Sequence, residues 1–345
     1  MEKFEKLILG DDNTPRLDSP FGNRVENPKF ISIGHNIEKR DLQKEVEEAK
    51  RRQDETENLF YKFKLQNCKE MVREERHRLS TGCRYIDEFL EGGFPCKRLI
   101  EIYGEGGSGK TNFGMQLLFN SILSTDNGGL GGKALYCLTK KHLPEKRFND
   151  IKTYFLEQNA GNITSEDIDE KIKIFHLQDL VQYKILFESK LQTKINDEDL
   201  KLIIIDDISS IAEEFIDATK PEVVVNYFER ANFYTEHSAN LKKLAYKHNV
   251  CIIALNTVVT DMMGSGSEQV DSNLMYNEKF KKRNQAKPAL GITWSNGIND
   301  RICLSKNKSG STNMKRKISV ELSSHWPSRE MEFEINEKGI QGNPK

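Results

Sequence analysis

The chain has 345 residues, a formal net charge of −1 at pH 7, 30% charged residues and a mean hydropathy of −0.65. This length suffices for one large α/β domain with an extension or for two domains, and no apolar run is long enough to span a bilayer. The near-neutral balance excludes a globally basic protein, so any nucleic-acid surface must be a local patch. Six cysteines without a C-x-x-C pair are expected to be reduced core thiols.

The first 78 residues differ in composition from the rest of the chain. Residues 1–35 are rich in Asn, Asp, Pro and Gly, show no clear period and are predicted to form a disordered tail. Residues 36–78 are almost all charged, with a narrow apolar stripe that includes Leu42 and Val46, and they are predicted to form one or two surface helices. This helical extension is either a solvated charged helix or a segment that docks on a partner.

A strand-like run at 99–103 leads into a glycine-rich loop that fits G-x-x-x-x-G-K-[ST] at every fixed position. The loop consists of Gly104, Glu105, Gly106, Gly107, Ser108, Gly109, Lys110 and Thr111. In such a loop the backbone N–H groups surround the β-phosphate, the lysine pairs with the β- and γ-phosphates, and the final hydroxyl ligates Mg²⁺. A helix predicted over 112–120 adds its N-terminal dipole. The sequence therefore predicts an ATP·Mg²⁺ site with Lys110 as its catalytic cation, and the alternative is a glycine-rich turn without a ligand.

The rest of the core alternates apolar strands with helices. Strands are predicted over 134–138, 173–177, 202–206 and 250–255, with helices over 181–191 and 240–248. Strands that are apolar throughout indicate a mostly parallel twisted sheet with helices on both faces. Short strands at 300–304, 317–322 and 331–335 are predicted to add a C-terminal β-hairpin edge. The fold class is therefore α/β, in a core spanning residues 79–345.

A carboxylate ends the strand at 202–206. Asp206 is placed to hold Mg²⁺ through water, opposite Thr111. The alternative is an ordinary strand-end aspartate, which the phosphate loop upstream makes the weaker interpretation.

Several short motifs occur in the order and spacing of RecA-type recombinases, and the chain resembles that superfamily over residues 79–345. Around the phosphate loop they are L-S-T-G at 79–82, L-Y-C-L-T at 135–139, P-E-K-R-F at 144–148, I-I-I-D at 203–206 and L-N-T-V-V at 255–259. Later motifs are P-A-L-G-I-T-W-S-N at 288–296, Arg301, S-H-W-P at 324–327 and E-K-G-I at 337–340. These resemble the eukaryotic recombinase paralogues, including the X-ray-repair cross-complementing members, which serve as mediators in homologous recombination.

The resemblance implies a RecA-type phosphate-loop ATPase core and a nuclear protein. It also implies that Arg147 stacks on the adenine, although the same residue is equally well explained as an exposed arginine. The superfamily polymerises through a Phe-x-x-Ala segment ahead of the core, and no such match is found here. This favours a heterodimer with another paralogue over autonomous filaments.

The chain departs from the superfamily pattern at positions that matter for hydrolysis. The general-base Glu of the superfamily follows a Thr, but here Thr139 is followed by Lys140, and a lysine cannot accept the proton of the attacking water at neutral pH unless its pKa falls by several units. Thr257 stands where the superfamily has a γ-phosphate-sensing Gln, and Ser323 lies near the position of an Asp that faces the neighbour's nucleotide. Asp207 is a candidate substitute base. The chain is therefore expected to bind ATP and to hydrolyse it weakly.

A long segment between residues 260 and 288 carries a local basic cluster. Its candidate DNA-binding residues are Lys279, Phe280, Lys281, Lys282, Arg283 and Lys287. Cations with an aromatic among them are typical of single-stranded DNA contacts, and the corresponding loop of RecA-type proteins faces that DNA. The alternatives are a solvated disordered loop or a nuclear-import signal. A second cluster, which includes Lys306, Lys315 and Lys317, either extends this surface or is a solvated hairpin.

Together these features predict an ATP-binding recombinase paralogue that assists filament assembly by the main recombinase on single-stranded DNA, without membrane contact. The alternative from another class is an ATP-bound scaffold subunit that neither touches DNA nor hydrolyses ATP significantly. A conventional DNA-dependent ATPase that uses Asp207 is a third possibility, and a phosphate-loop small-molecule kinase is the least favoured because no lid or acceptor motif is visible.

Overall fold

Strands and helices alternate along the computed structural model, which describes residues 77–139, 142–212, 215, 223–259, 287–307 and 315–343. The first elements are β1 (Arg78–Leu79), α1 (Arg84–Phe89), β2 (Phe94–Pro95), β3 (Arg98–Gly104), α2 (Lys110–Ser121), a 3-10 turn (Thr125–Asn127) and β4 (Lys133–Thr139). Next come α3 (Glu145–Gln158), α4 (Ser165–Lys171), β5 (Ile172–Leu177), α5 (Leu180–Lys184), a π-helical segment (Ile185–Lys190), α6 (Leu191–Glu198), β6 (Leu200–Asp206) and α7 (Ser209–Ala212). The last elements are α8 (Val223–His248), β7 (Cys251–Asn256), β8 (Val258–Val259), β9 (Lys287–Pro288), α9 (Gly291–Gly297), β10 (Asp300–Asn307), β11 (Lys315–Leu322), β12 (Glu330–Asn336) and β13 (Gly339–Gly342).

One nine-stranded sheet organises these elements, in the order β13-β12-β11-β10-β3-β7-β6-β4-β5. Neighbours from β10 to β5 are parallel, whereas β10, β11, β12 and β13 pair antiparallel in sequence. This confirms the predicted mostly parallel sheet with an antiparallel C-terminal edge. β1 pairs with β2, and β8 with β9, in two small ribbons.

Two apolar clusters cover the two faces of the sheet. Ile102 and Ile204 belong to the cluster that includes Phe113 of α2, and Leu99 and Ile203 belong to the cluster that includes helices α6, α8 and α9. Because successive strand residues point to opposite faces, this alternation places helices on both sides of the sheet, as the continuous apolar strands predict. Each fully buried isoleucine contributes roughly 1.5–3 kcal/mol to folding.

The structure corrects several predicted helices. The helix predicted over 240–248 is the last part of α8, which begins at Val223. The predicted helix at 181–191 is divided into α5, a π-helical segment and the start of α6. Helices α3 and α4 are not among the predicted elements, although Phe148, Ile151 and Phe155 of α3 recur at helical spacing and pack against one apolar cluster.

The parallel order brings four strand ends to one edge of the sheet. The carboxyl ends of β3, β7, β6 and β4 are neighbours, and they are followed or completed by the phosphate loop, Asn256, Asp206 and Thr139. This is the edge at which open α/β sheets bind ligands.

The described cysteines are free thiols, with Cys83, Cys96, Cys137 and Cys251 buried.

Some predictions concern residues outside the described parts of the chain. They are the tail at 1–35, the helical extension up to residue 76, Lys140, and the cations from Lys279 to Arg283. The helices in the described parts include none whose length and apolar character would let it cross a membrane.

Candidate nucleotide site

Glycines shape the loop that follows β3. A Cβ at Gly104 would lie 2.1 Å from the carbonyl oxygen of Leu304 in β10 and 2.8 Å from Ser108 Oγ. Gly107 and Gly109 have φ values of +74° and +114°, which side chains rarely adopt. Gly109 is the N-cap of α2 and offers no side chain to its first turn, so the N–H groups of that turn remain for another acceptor.

The polar groups of the loop fit a bound polyphosphate. Ser108 Oγ is buried and has no hydrogen-bond partner among the described residues. The Lys110 ammonium donates to the carbonyl oxygens of Gly104, at 2.7 Å, and Glu105, at 3.1 Å. A buried hydroxyl, an ammonium and the start of a helix together form an anion site, because all three favour negative charge.

Thr111 and Asp206 meet as the sequence predicts. The Thr111 hydroxyl donates to Asp206 Oδ2 at 2.8 Å, and Asp206 is 1% exposed. A hydroxyl and a carboxylate are the hard oxygen ligands that Mg²⁺ takes from a protein. These two residues could therefore hold Mg²⁺ beside the phosphate loop.

Tyr136 is a member of this site that the sequence analysis missed. Its hydroxyl donates to the same Asp206 oxygen at 2.8 Å, and the side chain is fully buried. Burial, followed by the nearby Asp206 charge, raises the pKa of Tyr136 well above its ordinary value. The phenol therefore stays protonated and acts as a fixed donor that orients the carboxylate. A tyrosine inside an apolar strand is the signal that could have identified it, because a buried phenol needs a partner.

Asp207 supports the backbone that follows β6. Its Oδ1 accepts hydrogen bonds of 2.8 Å from Ser209 Oγ and from the Ser210 N–H, which caps the start of α7. Its carbonyl oxygen accepts from the hydroxyl of Thr139. Asp207 is 2% exposed, so these contacts give its carboxylate a structural role. Its role as a substitute base stays a prediction.

The hydroxyls of Thr139 and Thr257 join this region across three strand ends. Ser210 Oγ donates to Thr139 Oγ1 at 2.7 Å, after β4. Thr257 Oγ1, after β7, donates to Ser209 Oγ at 2.9 Å. Thr257 is thus connected through Ser209 to the carboxylate of Asp207.

Arg147 lies on α3, beside the start of α2. Its Nε donates to Asn112 Oδ1 at 3.3 Å, and its guanidinium also donates to the carbonyl oxygen of Asn336, at the end of β12. These contacts tie α3 to α2 and to the C-terminal hairpin. Adenine stacking by Arg147 stays a prediction.

Lys306, a member of the second basic cluster, lies at the phosphate loop. Its ammonium donates to the Gly106 carbonyl oxygen and lies 3.9 Å from Glu105 Oε2. Two other cations of that group, Lys315 and Lys317, pair with Glu332 at 3.6 Å and Glu330 at 2.8 Å. These contacts favour a hairpin with locally balanced charge.

Of the candidate DNA-binding residues, the structure describes Lys287. It pairs with Val259 in the ribbon formed by β8 and β9, which brings together the two ends of the 260–286 segment. The Ala289 N–H donates to the Thr257 carbonyl oxygen at 2.9 Å, so this ribbon continues directly from the Asp207 and Thr257 contacts.

Comparison with known proteins gives a family match over most of the chain. The Rad51 family model matches residues 72–343. The DNA repair protein XRCC3 homolog of Arabidopsis thaliana is 27% identical over 290 residues, which is 76% of this chain and 92% of that protein. The DNA repair protein RAD51 homolog 2 of Homo sapiens is 28% identical over 273 residues, 76% of this chain and 68% of that protein. The DNA repair protein rhp57 of Schizosaccharomyces pombe is 27% identical over 277 residues, 76% of this chain and 78% of that protein.

Proposed function

The chain belongs to the Rad51 family of RecA-type recombinases, and we propose that it is an ATP-binding paralogue that acts as a mediator in homologous-recombination repair of DNA double-strand breaks. Relatives from a plant, from human and from a yeast are named DNA repair proteins, which supports a role in DNA repair. In the proposal the protein works in the nucleus, in a heterodimer with another paralogue, and assists the main recombinase on single-stranded DNA.

The observation that carries the proposal is the 2.8 Å hydrogen bond between Thr111, the last residue of the phosphate loop, and Asp206 at the end of β6. When ATP binds, Lys110 would exchange the carbonyl oxygens of Gly104 and Glu105 for phosphate oxygens, whose negative charge attracts the ammonium more strongly. Thr111 directly and Asp206 through water would hold Mg²⁺, which would offset the phosphate charge. The Tyr136 hydroxyl keeps Asp206 oriented for that task.

We propose that the bound nucleotide stabilises assembly and is turned over slowly. Lys140 occupies the position of the superfamily's general base, and a lysine is protonated at neutral pH. Asp207, the candidate substitute, already accepts from Ser209 and Ser210. Retained ATP would hold the complex together while the cations between Lys279 and Lys287 contact single-stranded DNA.

The first test compares Lys110→Ala with the parent, each purified with its co-purifying partner. ATP affinity is measured with a fluorescent nucleotide, and hydrolysis is measured with and without single-stranded DNA. A hydrogen bond to a charged group contributes about 1.5–3 kcal/mol, so we expect ATP affinity to fall at least about tenfold. Lys152→Ala, which removes a surface pair with Asp169, is the control and should bind ATP normally. Equal ATP affinity in Lys110→Ala and the parent would overturn the site.

The second candidate is an ATP-bound scaffold without its own DNA contact. It is favoured by Thr257, whose short side chain is engaged with Ser209 where the superfamily has a longer Gln. Reversing the charges of Lys281, Lys282 and Arg283 to Glu separates the two functions. A mediator that contacts DNA should lose affinity for single-stranded DNA and show a shallower salt dependence, because fewer counterions are released. Unchanged DNA affinity of the complex would favour the scaffold.

A further inference from the structure

A buried carboxylate lies in the strand that leads into the phosphate loop. Glu101 of β3 is 0% exposed. It accepts hydrogen bonds from Asn256 Nδ2 at 2.7 Å, from Trp294 Nε1 at 2.9 Å and from the Arg301 guanidinium. Burying a carboxylate is unfavourable unless donors and a counter-charge surround it, and these three side chains supply both.

The partners of Glu101 come from the two sides of one chain segment. Asn256 ends β7 and directly precedes Thr257, whereas Trp294 lies in α9, shortly after β9. Arg301, in β10, also donates to Ser295 Oγ of α9 at 2.7 Å. One side chain in β3 therefore contacts the residues that precede and follow the segment at 260–286.

The Glu101 hydrogen bonds link helix α9 to the sheet, and backbone pairing between strands does not provide this link. Backbone pairing already joins β3 to β7 and to β10, with Glu101 opposite Ala254 and Arg301. Helix α9 is not part of the sheet, and its described polar links to β3 and β10 run through Trp294 and Ser295. The Glu101 network thus adds polar links between α9 and the phosphate-loop strand, beside the apolar packing of Trp294 and the hydrogen bonds between Asn299 and Leu99 of β3.

We propose that Glu101 is a positioning residue that couples nucleotide binding at the phosphate loop to affinity for single-stranded DNA. It does so by holding α9 and the end of β7 against β3, three residues before Gly104. The inference rests on the proposed function, because it requires that the complex binds both ATP and single-stranded DNA, and it adds that the two affinities depend on each other. Coupling of this kind is reciprocal, so ATP strengthens DNA binding by the same factor by which DNA strengthens ATP binding.

The chain offers a matched pair of variants, because both of its tryptophans donate one buried hydrogen bond. Trp294→Phe removes the donor to Glu101 and keeps an aromatic ring in place. Trp326→Phe removes an equivalent bond of 2.7 Å to the Leu90 carbonyl oxygen, away from β3 and β7. Both variants are expected to lose a similar amount of thermal stability, which controls for a merely structural effect.

The quantity to measure is the ratio of the dissociation constants for single-stranded DNA without and with saturating ATP·Mg²⁺, on the complex with its partner. We expect Trp294→Phe to reduce this ratio at least about fivefold, the low end of typical coupling, and Trp326→Phe to leave it at the parental value. An unchanged ratio in Trp294→Phe, or an equal reduction in both variants, would overturn the role of Glu101. A parental ratio of one would show that ATP and DNA bind independently and would overturn the inference, whereas failure of the complex to bind ATP or DNA at all would overturn the proposed function.

Hydrogen exchange on the parent protein gives a second test that needs no variant. ATP should slow amide exchange in α9 as well as in the phosphate loop, because Glu101 connects the two. Slower exchange in the phosphate loop without any change in α9 would show ATP binding without the proposed coupling.

Discussion

At the scale of single residues, the phosphate loop depends on side chains far away in the sequence. Lys306 reaches the Gly106 carbonyl oxygen from β10, and Leu304 in the same strand limits residue 104 to glycine. Carbonyl groups of such a loop point away from the phosphate, so Lys306 supports the loop from outside. It also adds a positive charge near the proposed phosphate site.

Replacing Lys306 tests this support. We expect Lys306→Met to weaken ATP binding about fivefold, because a partly exposed charged hydrogen bond contributes about 1 kcal/mol. Nucleotide titration of the complex measures the effect. Lys317→Met, which breaks an exposed pair with Glu330, should bind ATP like the parent. Equal weakening in both variants would point to the general loss of positive charge.

Two substitutions of Asp207 distinguish a helix-capping role of this carboxylate from a role as the general base. Asp207→Asn keeps an oxygen for the Ser210 N–H, so we expect the parental ATP turnover rate and nearly parental stability. Asp207→Ala removes the cap and should cost about 1 kcal/mol of unfolding free energy. Steady-state hydrolysis and denaturant unfolding measure the two effects. A loss of turnover in Asp207→Asn, with stability retained, would identify this carboxylate as the base.

At the scale of elements, the apolar strands were predictable and several helices were not. Strands β3 and β4 exceed their predicted bounds by one residue at each end, and β6 begins two residues early and ends as predicted, because continuous apolar runs bounded by loops have few other interpretations. Helix α4 escaped notice although its capping box, Thr164 with Asp167, is readable in the sequence. The π-helical segment from Ile185 to Lys190 has no recognisable sequence signal.

The same distinction applies to the site. The contact between Thr111 and Asp206 could be predicted from the sequence, because the phosphate-loop pattern and a strand-end carboxylate each have a known role in Mg²⁺ binding. Glu101 and Lys306 could not be assigned, and Tyr136 could be recognised only as a buried phenol that needs a partner, because the partners depend on which strands become neighbours. Strand order is set by long-range packing, and local propensity does not encode it.

At the scale of the whole molecule, the face of the sheet that carries α8 contains a histidine buried without charge. Burial lowers the pKa of His237 to about 3, and its Nε2 lies 2.7 Å from the Tyr183 hydroxyl. In the unfolded chain the pKa is near 6.5. Protons therefore bind the unfolded state first as the pH falls, so this histidine contributes stability above pH 6.5 that is lost toward pH 3.

The expected size of this effect is about 2 kcal/mol of unfolding free energy between pH 7 and pH 5, at about 1.4 kcal/mol for each unit of pKa difference. His237→Gln keeps a polar group near Tyr183 but does not titrate, so the difference in stability between parent and variant should narrow over that range. Denaturant unfolding at both pH values measures it. Parallel losses of stability in parent and variant would contradict the assignment.

The phosphate loop packs against strands that are synthesised long after it, and this order matters during translation. Ile335 and Ile340 lie against Gly109, and the Ile340 N–H donates to Gln116 of α2 at 2.6 Å. The phosphate loop is thus translated more than two hundred residues before the strands that pack on it. Nascent chains cannot pack the phosphate loop against Ile335 and Ile340 until translation has passed residue 340, and a stop codon just before β12 deprives an otherwise intact loop of this packing.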